Sequence, residues 1–96
     1  MKVTVQAVNF DIAEKLEKYI EKKTKKYHKF LGDSAEMEIR MTVVKPESSM
    51  NKETTVRISG VGQELFAQKT FDTFEQGVDE CLEAIGRQIE KMKEKK

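Results

Sequence analysis

Residues 11–31, DIAEKLEKYIEKKTKKYHKFL, contain the pattern that decides the fold of this chain. Apolar side chains recur there at helical spacing and predict an amphipathic helix over the whole stretch. Asp11 followed by Glu14 resembles a capping box, and Gly32 is a suitable C-terminal stop. The predicted core face of this helix comprises Ile12, Leu16, Tyr19, Ile20, Tyr27, Phe30 and Leu31.

The opposite side of the same predicted helix carries a row of lysines, which we call the lysine stripe. At about 100° per residue, its five members fall within a sector of roughly 80°. They are Lys15, Lys18, Lys22, Lys26 and Lys29. Five like charges in one row repel one another, and a polyanion such as a nucleic-acid backbone relieves that repulsion. The stripe is therefore a candidate phosphate-binding track, and the stem of Lys23 is expected to pack while its ammonium extends toward the groove that the stripe borders.

The remaining sequence predicts four strands and a second helix. Alternation over residues 2–8 and 37–43 indicates the first two strands, and shorter apolar pairs mark the third and fourth. Residues 45–52 and the Gly60-Val61-Gly62 segment are predicted to be a loop and a turn. The inward strand residues are Val3, Val5 and Ala7, then Met37, Ile39, Met41 and Val43, then Val56 and Ile58, then Leu65 and Ala67.

The second helix is predicted from a capping box, either Thr73 with Gln76 or Asp72 with Glu75, to about Lys95. Its core stripe is Val78, Leu82, Ile85, Ile89 and Met92, and Gly77 and Gly86 are interpreted as points of close packing. The order is βαβββα, with the first strand parallel to a neighbour through the crossover of the first helix. We therefore expect one α+β domain over residues 1–96, a two-layer sandwich whose four-stranded sheet has both long helices packed on one face.

A second group of cations lies near the end of the chain. Arg87, Lys91 and Lys95 are spaced four apart, and Lys93 lies between them. If the two helices are neighbours, this row and the lysine stripe are expected to line one basic groove. Residues 11–31 contain seven lysines and four acidic residues, whereas the net charge of the whole chain is only +1. Binding to nucleic acid would therefore depend on a local patch.

Composition argues against several other functions. The chain has 38% hydrophobic and 36% charged residues, lacks the roughly 20 apolar residues of a membrane span, and shows no secretory signal. One cysteine and one histidine, Cys81 and His28, are too few for a zinc site or a disulfide. We interpret Cys81 as a buried packing residue and His28 as solvated. No catalytic constellation is present, so we expect no enzyme activity, no cofactor and a cytoplasmic protein.

The sequence also resembles the ribosome hibernation-promoting factor family, described too as ribosome-associated inhibitors or sigma-54 modulation proteins. The resemblance covers nearly the whole chain. It rests on Val8-Asn9-Phe10, on Tyr19-Ile20-Glu21-Lys22-Lys23 with Lys26 and Phe30, on Leu65-Phe66-Ala67, on TFEQGVDE at residues 73–80, and on Arg87-Gln88-Ile89-x-Lys91-x-Lys93. Because the chain ends directly after the second helix, it resembles the short form, without the C-terminal domain through which long forms pair ribosomes.

The resemblance implies a βαβββα fold and binding in the channel of the small ribosomal subunit, where messenger and transfer RNA otherwise lie. Such proteins silence idle ribosomes in stationary phase or starvation by steric occupancy, and their two basic helices contact ribosomal RNA. Two other interpretations remain open at this point. One is a general double-stranded RNA-binding domain, and the other is a protein-interaction module acting on a transcription factor.

Overall fold

The computed structural model describes residues 1–44, 50–60 and 62–94, and for Lys93 and Glu94 the backbone only. The element order is βαβββα, as predicted. The elements are β1 (Lys2–Val8), α1 (Glu14–Leu31), β2 (Glu36–Val43), β3 (Lys52–Ser59), β4 (Leu65–Phe71) and α2 (Phe74–Glu94). Within the described residues, neither helix is long and apolar enough to cross a membrane.

The sheet has the order β1-β2-β3-β4, so β1 and β4 are its two edges. β1 runs parallel to β2, and the other two pairings are antiparallel. The parallel pairing follows from the crossover through α1, since a helix returns the chain to the starting end of the sheet. This topology confirms the predicted architecture.

The core lies between one face of the sheet and the two helices. Successive side chains of a strand point to opposite faces of the sheet. Alternate residues of β2 and β3 therefore face the helices and are almost completely buried, and the residues between them face the other side of the sheet. The side chains that form it include Met37, Ile39, Met41, Val56, Ile58, Leu65, Val78, Cys81 and Ile85. The rings of Phe10 and Phe74 stack with centroids 4.5 Å apart where both helices begin. Both helices therefore cover the same face, as expected.

α1 begins later than the sequence predicts. Asp11 is not its cap, because the N-cap position is occupied by Ala13, whose side chain makes no capping hydrogen bond. Ile12 precedes the helix but still packs against the core. Phe30 was predicted to face the core and is instead 60% exposed. α1 turns its buried side, Leu16 to Tyr27, toward the sheet, and Phe30 lies near the edge of that sector.

α2 begins as predicted, since the Gln76 N–H donates to Thr73 Oγ1 at 3.3 Å. Gly77 lets this helix approach β3 closely, because a Cβ at that position would overlap the hydroxyl of Thr54. Gly86 faces the Tyr27 hydroxyl, 3.4 Å from where a Cβ would be. Close packing is thus confirmed at Gly77 and is looser at Gly86. The prediction that the helix reaches Lys95 lies outside the described residues.

The two predicted connections are only partly described. Residues 45–49 and Val61 lie outside the described residues, whereas Lys52, predicted to be in the loop, is the first residue of β3. The Val44 N–H donates to the Asn51 carbonyl at 2.8 Å and continues the β2–β3 pairing beyond the strand ends. Gly60 and Gly62 have φ values of 83° and 93°, which favour glycine.

Candidate nucleic-acid interface

The lysine stripe faces solvent along the whole length of α1. All five of its side chains are exposed, on the side of the helix opposite Leu16, Ile20 and Tyr27. Within the described residues, Lys18 is the one member in a salt bridge, to Glu14 on the same helix at 3.1 Å. That pair is highly exposed and contributes little stability. The stripe is therefore available to an external anion.

Lys23 lies one step round the helix from the stripe and is held by α2. Its Nζ is 3.3 Å from Asp79 Oδ1 and lies 5.4 Å from the centre of the Tyr19 ring. The Tyr19 hydroxyl donates to the other carboxylate oxygen of Asp79 at 2.6 Å. The ammonium does extend outward over an apolar stem, as expected, but an acidic residue of this chain neutralises it. Lys23 is therefore a weaker candidate for phosphate binding than the stripe.

The Tyr19–Asp79 contact changes the acidity of the phenol. Burial, the hydrogen bond to Asp79 and the negative charges of Asp79 and Glu75 together raise the pKa of Tyr19 to about 12. Each of these effects disfavours the phenolate. Burial and the charge of Glu83 likewise raise the pKa of Tyr27, whose hydroxyl donates to the Leu82 carbonyl at 2.8 Å. Two tyrosines thus join α1 to α2 as neutral hydrogen-bond donors at ordinary pH.

The side of α2 that faces α1 is acidic. Asp79 binds Tyr19, and Glu75 and Glu83 lie close enough to α1 to affect its tyrosines. Further along, Glu90 lines a cavity of about 190 Å³ together with Lys26, Tyr27, Phe30, Ile89 and Gly86. The space between the helices therefore brings carboxylates of α2 opposite lysines of α1.

The basic residues of α2 lie elsewhere on that helix. Arg87 and Lys91 are about 80° and 120° round the helix from Asp79. Arg87 Nη1 is 3.3 Å from Glu83 Oε1 on its own helix. Lys91 lines a shallow cavity beside residues 62–65, next to β4. Residues four apart follow one side of α2, and that side lies next to the acidic side that faces α1, so the common basic groove stays a prediction.

Two of the predicted binding residues cannot be placed fully. Lys95 lies outside the described residues, and for Lys93 the structure describes the backbone alone. The sequence gives no sign that Asp79 decides whether Lys23 is free. An acid in the exposed sector of a helix has no signal that distinguishes a cross-helix partner from a solvated charge.

Cys81 is buried and His28 is exposed, as the sequence predicts. Cys81 is fully buried, and its thiol donates to the Thr54 carbonyl at 3.3 Å. Burial raises the pKa of this thiol to about 11, so it is an unreactive packing residue. His28 is exposed on α1. Among the described residues, no group of three or more His, Cys, Asp or Glu side chains is arranged to hold a metal ion.

These features define a class of protein, a two-layer α+β domain with an exposed row of lysines on α1. The acids of α2 contact α1 at Tyr19 and Lys23 and help to hold the two helices together. The chain belongs to the Sigma 54 modulation protein / S30EA ribosomal protein family, whose model matches residues 3–96. The family is one of ribosome-associated factors. Among curated proteins, none matches the chain significantly in sequence.

Two solved structures share the fold. The Thermus thermophilus Protein Y N-terminal domain matches with a TM-score of 0.78 at 11% identity, covering 96% of this chain and 99% of that chain. A ribosomal subunit interface protein from Coxiella burnetii matches with a TM-score of 0.78 at 18% identity, covering 97% and 98%. At these identities the likeness establishes the fold alone.

Proposed function

We propose that this protein is a cytoplasmic hibernation factor that binds the small ribosomal subunit in the messenger and transfer RNA channel. By occupying that channel, it inhibits translation in stationary phase or starvation, with no bond made or broken. The observation that carries the proposal is the exposed lysine stripe in a chain of the S30EA family.

The stripe suits an RNA backbone because of its length and straightness. From Lys15 to Lys29 it extends over about 21 Å of helix, at about 1.5 Å per residue. Lysines hold phosphates as point charges without reading base sequence, which fits a protein that must recognise every ribosome. Contacts from Lys23, Arg87, Lys91, Lys93 and Lys95 are also proposed, but the stripe is expected to contribute most because Lys23 and Arg87 already have carboxylate partners.

The test is co-sedimentation of the protein with purified small subunits at several salt concentrations. If the five stripe lysines each neutralise a phosphate, the logarithm of the binding constant should fall against the logarithm of salt with a slope of about −3.5 to −4.5. Messenger RNA and initiator transfer RNA loaded beforehand should prevent binding. Binding that tolerates high salt would instead indicate a protein-interaction module, and equal affinity for free duplex RNA would indicate a general RNA-binding domain.

The site is tested by the variant Lys22→Glu/Lys26→Glu, which reverses two charges in the middle of the stripe. A matched control is Lys2→Glu/Arg40→Glu, which makes the same change of net charge on the sheet face that the helices leave open. The proposal requires the first variant to lose co-sedimentation and the second to keep it. Equal loss in both would show that only overall charge matters.

A further inference from the structure

The two edge strands of the sheet, β1 and β4, differ in whether a side chain occupies their outward backbone groups. On β4, the side-chain amide of Gln88 occupies the outward backbone groups of Phe66. Its Nε2 donates to the Phe66 carbonyl at 2.8 Å, and its Oε1 accepts from the Phe66 N–H at 3.2 Å. A strand addition at that edge would have to displace this pair of hydrogen bonds. β1 has no such protection among the described residues.

The direction of the β1 backbone groups follows from its pairing with β2. The Lys2 N–H donates to the Ala35 carbonyl at 3.0 Å, so Lys2, Thr4 and Gln6 direct their N–H and C=O groups toward β2. Because successive residues alternate, Val3, Val5 and Ala7 direct theirs to the open edge. Within the described residues, no side chain reaches these outward groups. Three residues of β1 thus offer unused donors and acceptors.

The side chains of β1 are also incompletely covered. Val5 is 38% exposed, although it belongs to the strand face that points toward α1. It lines a cavity of about 540 Å³ between β1 and α1, together with Val3, Ile12 and Ile20. The polar residues of that cavity are Glu17, Glu21, Thr24, Lys25 and His28 of α1. An edge strand with one terminal lysine and otherwise uncharged residues lacks the charges that usually block pairing.

We propose that this edge binds a second copy of the chain, by antiparallel pairing of the two β1 strands about a twofold axis at Val5. The sequence of β1 complements itself in that register. Val5 would lie opposite Val5 of the second copy, Val3 opposite Ala7, and Thr4 opposite Gln6. The residues that meet as hydrogen-bonded pairs are the ones with outward backbone groups, so the two strands would exchange about six hydrogen bonds.

The charges of α1 complement themselves about the same axis. β1 extends about 23 Å and α1 about 27 Å, in opposite directions, so an axis at the middle of β1 passes near the middle of α1. On the side of α1 nearest β1, Glu17 and Glu21 precede Lys25. Antiparallel α1 helices would set the acidic half of each copy beside the basic half of the other. The partner is therefore the same chain rather than an unrelated peptide.

Pairing through β1 leaves the lysine stripe exposed, since the stripe lies on another side of α1. The proposal therefore goes beyond ribosome binding and does not depend on it. The measurement is the mass of the full chain by analytical ultracentrifugation from micromolar to millimolar concentration. The wild type should shift from monomer to dimer over that range.

Val5→Lys places two like charges at the twofold axis and should raise the dimer dissociation constant by about tenfold or more. Phe66→Lys is the matched control, because Phe66 is similarly exposed at 42% but lies on β4. Circular dichroism should show that both variants fold, and Val5→Lys should still co-sediment with small subunits. A wild-type dimer that Val5→Lys leaves intact would overturn the proposal.

A cross-linking experiment tests the register. Facing Cα atoms in a hydrogen-bonded antiparallel pair are about 5.5 Å apart, within the range a disulfide spans. Val5→Cys should therefore oxidise to a covalent dimer, whereas Thr4→Cys should do so much more slowly because it faces Gln6. Cys81 is fully buried and should not react. Gln68→Cys on β4 is the control for oxidation. The pairing would be refuted if the wild type stayed monomeric and Val5→Cys oxidised no faster than Gln68→Cys.

Discussion

The outward faces of α1 and α2 both carry many charges, but they balance them differently. α1 collects its lysines in one exposed stripe, and among the described residues only Lys18 of that stripe has an acidic partner. α2 places Arg87 beside Glu83 and uses Asp79 to hold Lys23 and Tyr19 of the other helix. One helix thus keeps most of its positive charge exposed, and the other uses its charge within the fold. A lysine count alone does not distinguish these two cases.

The largest expected effect compares paired reversals on the two helices. Lys22→Glu/Lys26→Glu should weaken binding to small subunits by about a hundredfold or more, because two phosphate contacts become repulsive. Arg87→Glu/Lys91→Glu should weaken it less, by about tenfold or below, because Arg87 already has a carboxylate partner. Co-sedimentation at a fixed salt concentration measures both. If the α2 variant were the more damaging, the comparison drawn between the helices would be wrong.

The next effect concerns how closely α2 lies on the sheet. Gly77→Ala should destabilise the protein by about 1–2 kcal/mol, since the overlap with Thr54 outweighs the gain in helix propensity. Chemical denaturation measures the loss. Adding Thr54→Ala removes the overlapping group, so the extra cost of Gly77→Ala should largely disappear in the double variant. If the losses of stability from Gly77→Ala and Thr54→Ala simply added in the double variant, the contact between Gly77 and Thr54 would not limit the position of α2.

The hydrogen bond between Tyr19 of α1 and Asp79 of α2 makes the stability of the protein depend on pH. Because the pKa of Tyr19 is raised, its contribution to stability is complete below about pH 10 and is lost as the pH rises through about 12. Asp79→Asn should lower the pKa of Tyr19 toward its ordinary value, though not fully, since burial remains the main cause. Tyrosinate absorbance measured against pH, in a Tyr27→Phe background, isolates this group. An unchanged titration would show that Asp79 does not hold Tyr19.

The same variant releases Lys23 from its carboxylate partner. Asp79→Asn should therefore strengthen binding to small subunits by about two- to fivefold, provided that Lys23 reaches the phosphate track. The double variant Asp79→Asn/Lys23→Gln is the control and should lose this gain. Weaker binding by Asp79→Asn would indicate that the Tyr19–Asp79 hydrogen bond itself positions the stripe.

The smallest expected effect is at Gly86, the second glycine of α2. Gly86→Ala should stabilise the protein by about 0.5–1 kcal/mol, because the added methyl group gains helix propensity. The Tyr27 hydroxyl, 3.4 Å away, allows an ordinary contact. Thermal unfolding should show a higher midpoint. A lower midpoint would mean that the Tyr27–Leu82 hydrogen bond has no room to adjust, and α2 would then be tightly fitted at both glycines.

Much of the fold was predictable because its signals are local. Alternation at Met37, Ile39 and Met41 marks a strand with one buried face, and the Thr73 cap marks the start of α2. The start of α1 was predicted too early because Asp11 and Glu14 have capping-box spacing, whereas the backbone at Ala13 is still extended. Phe30 was assigned to the core because its helical angle borders the apolar sector. Tertiary packing outweighs local preference at the ends of a helix and for residues at the border between its buried and exposed sides.

The surroundings of the candidate binding residues were less predictable than the fold. The stripe itself follows from spacing on one helix and is found where the sequence puts it. The common basic groove stays a prediction, because it depends on the rotation of α2 relative to α1, which no periodicity within either helix reveals. The protection of the β4 edge by Gln88 and the open edge of β1 were equally invisible.

The sequence by itself determined the order of elements, the buried face of each one and the row of lysines on α1, because these depend on residues close together in the chain. Only the tertiary structure decided which cations remain available and which strand edge stays open. Those properties depend on the side chains that two elements bring face to face. Asp79 and Lys23 are far apart in sequence, and they meet because both helices cover the same face of one sheet.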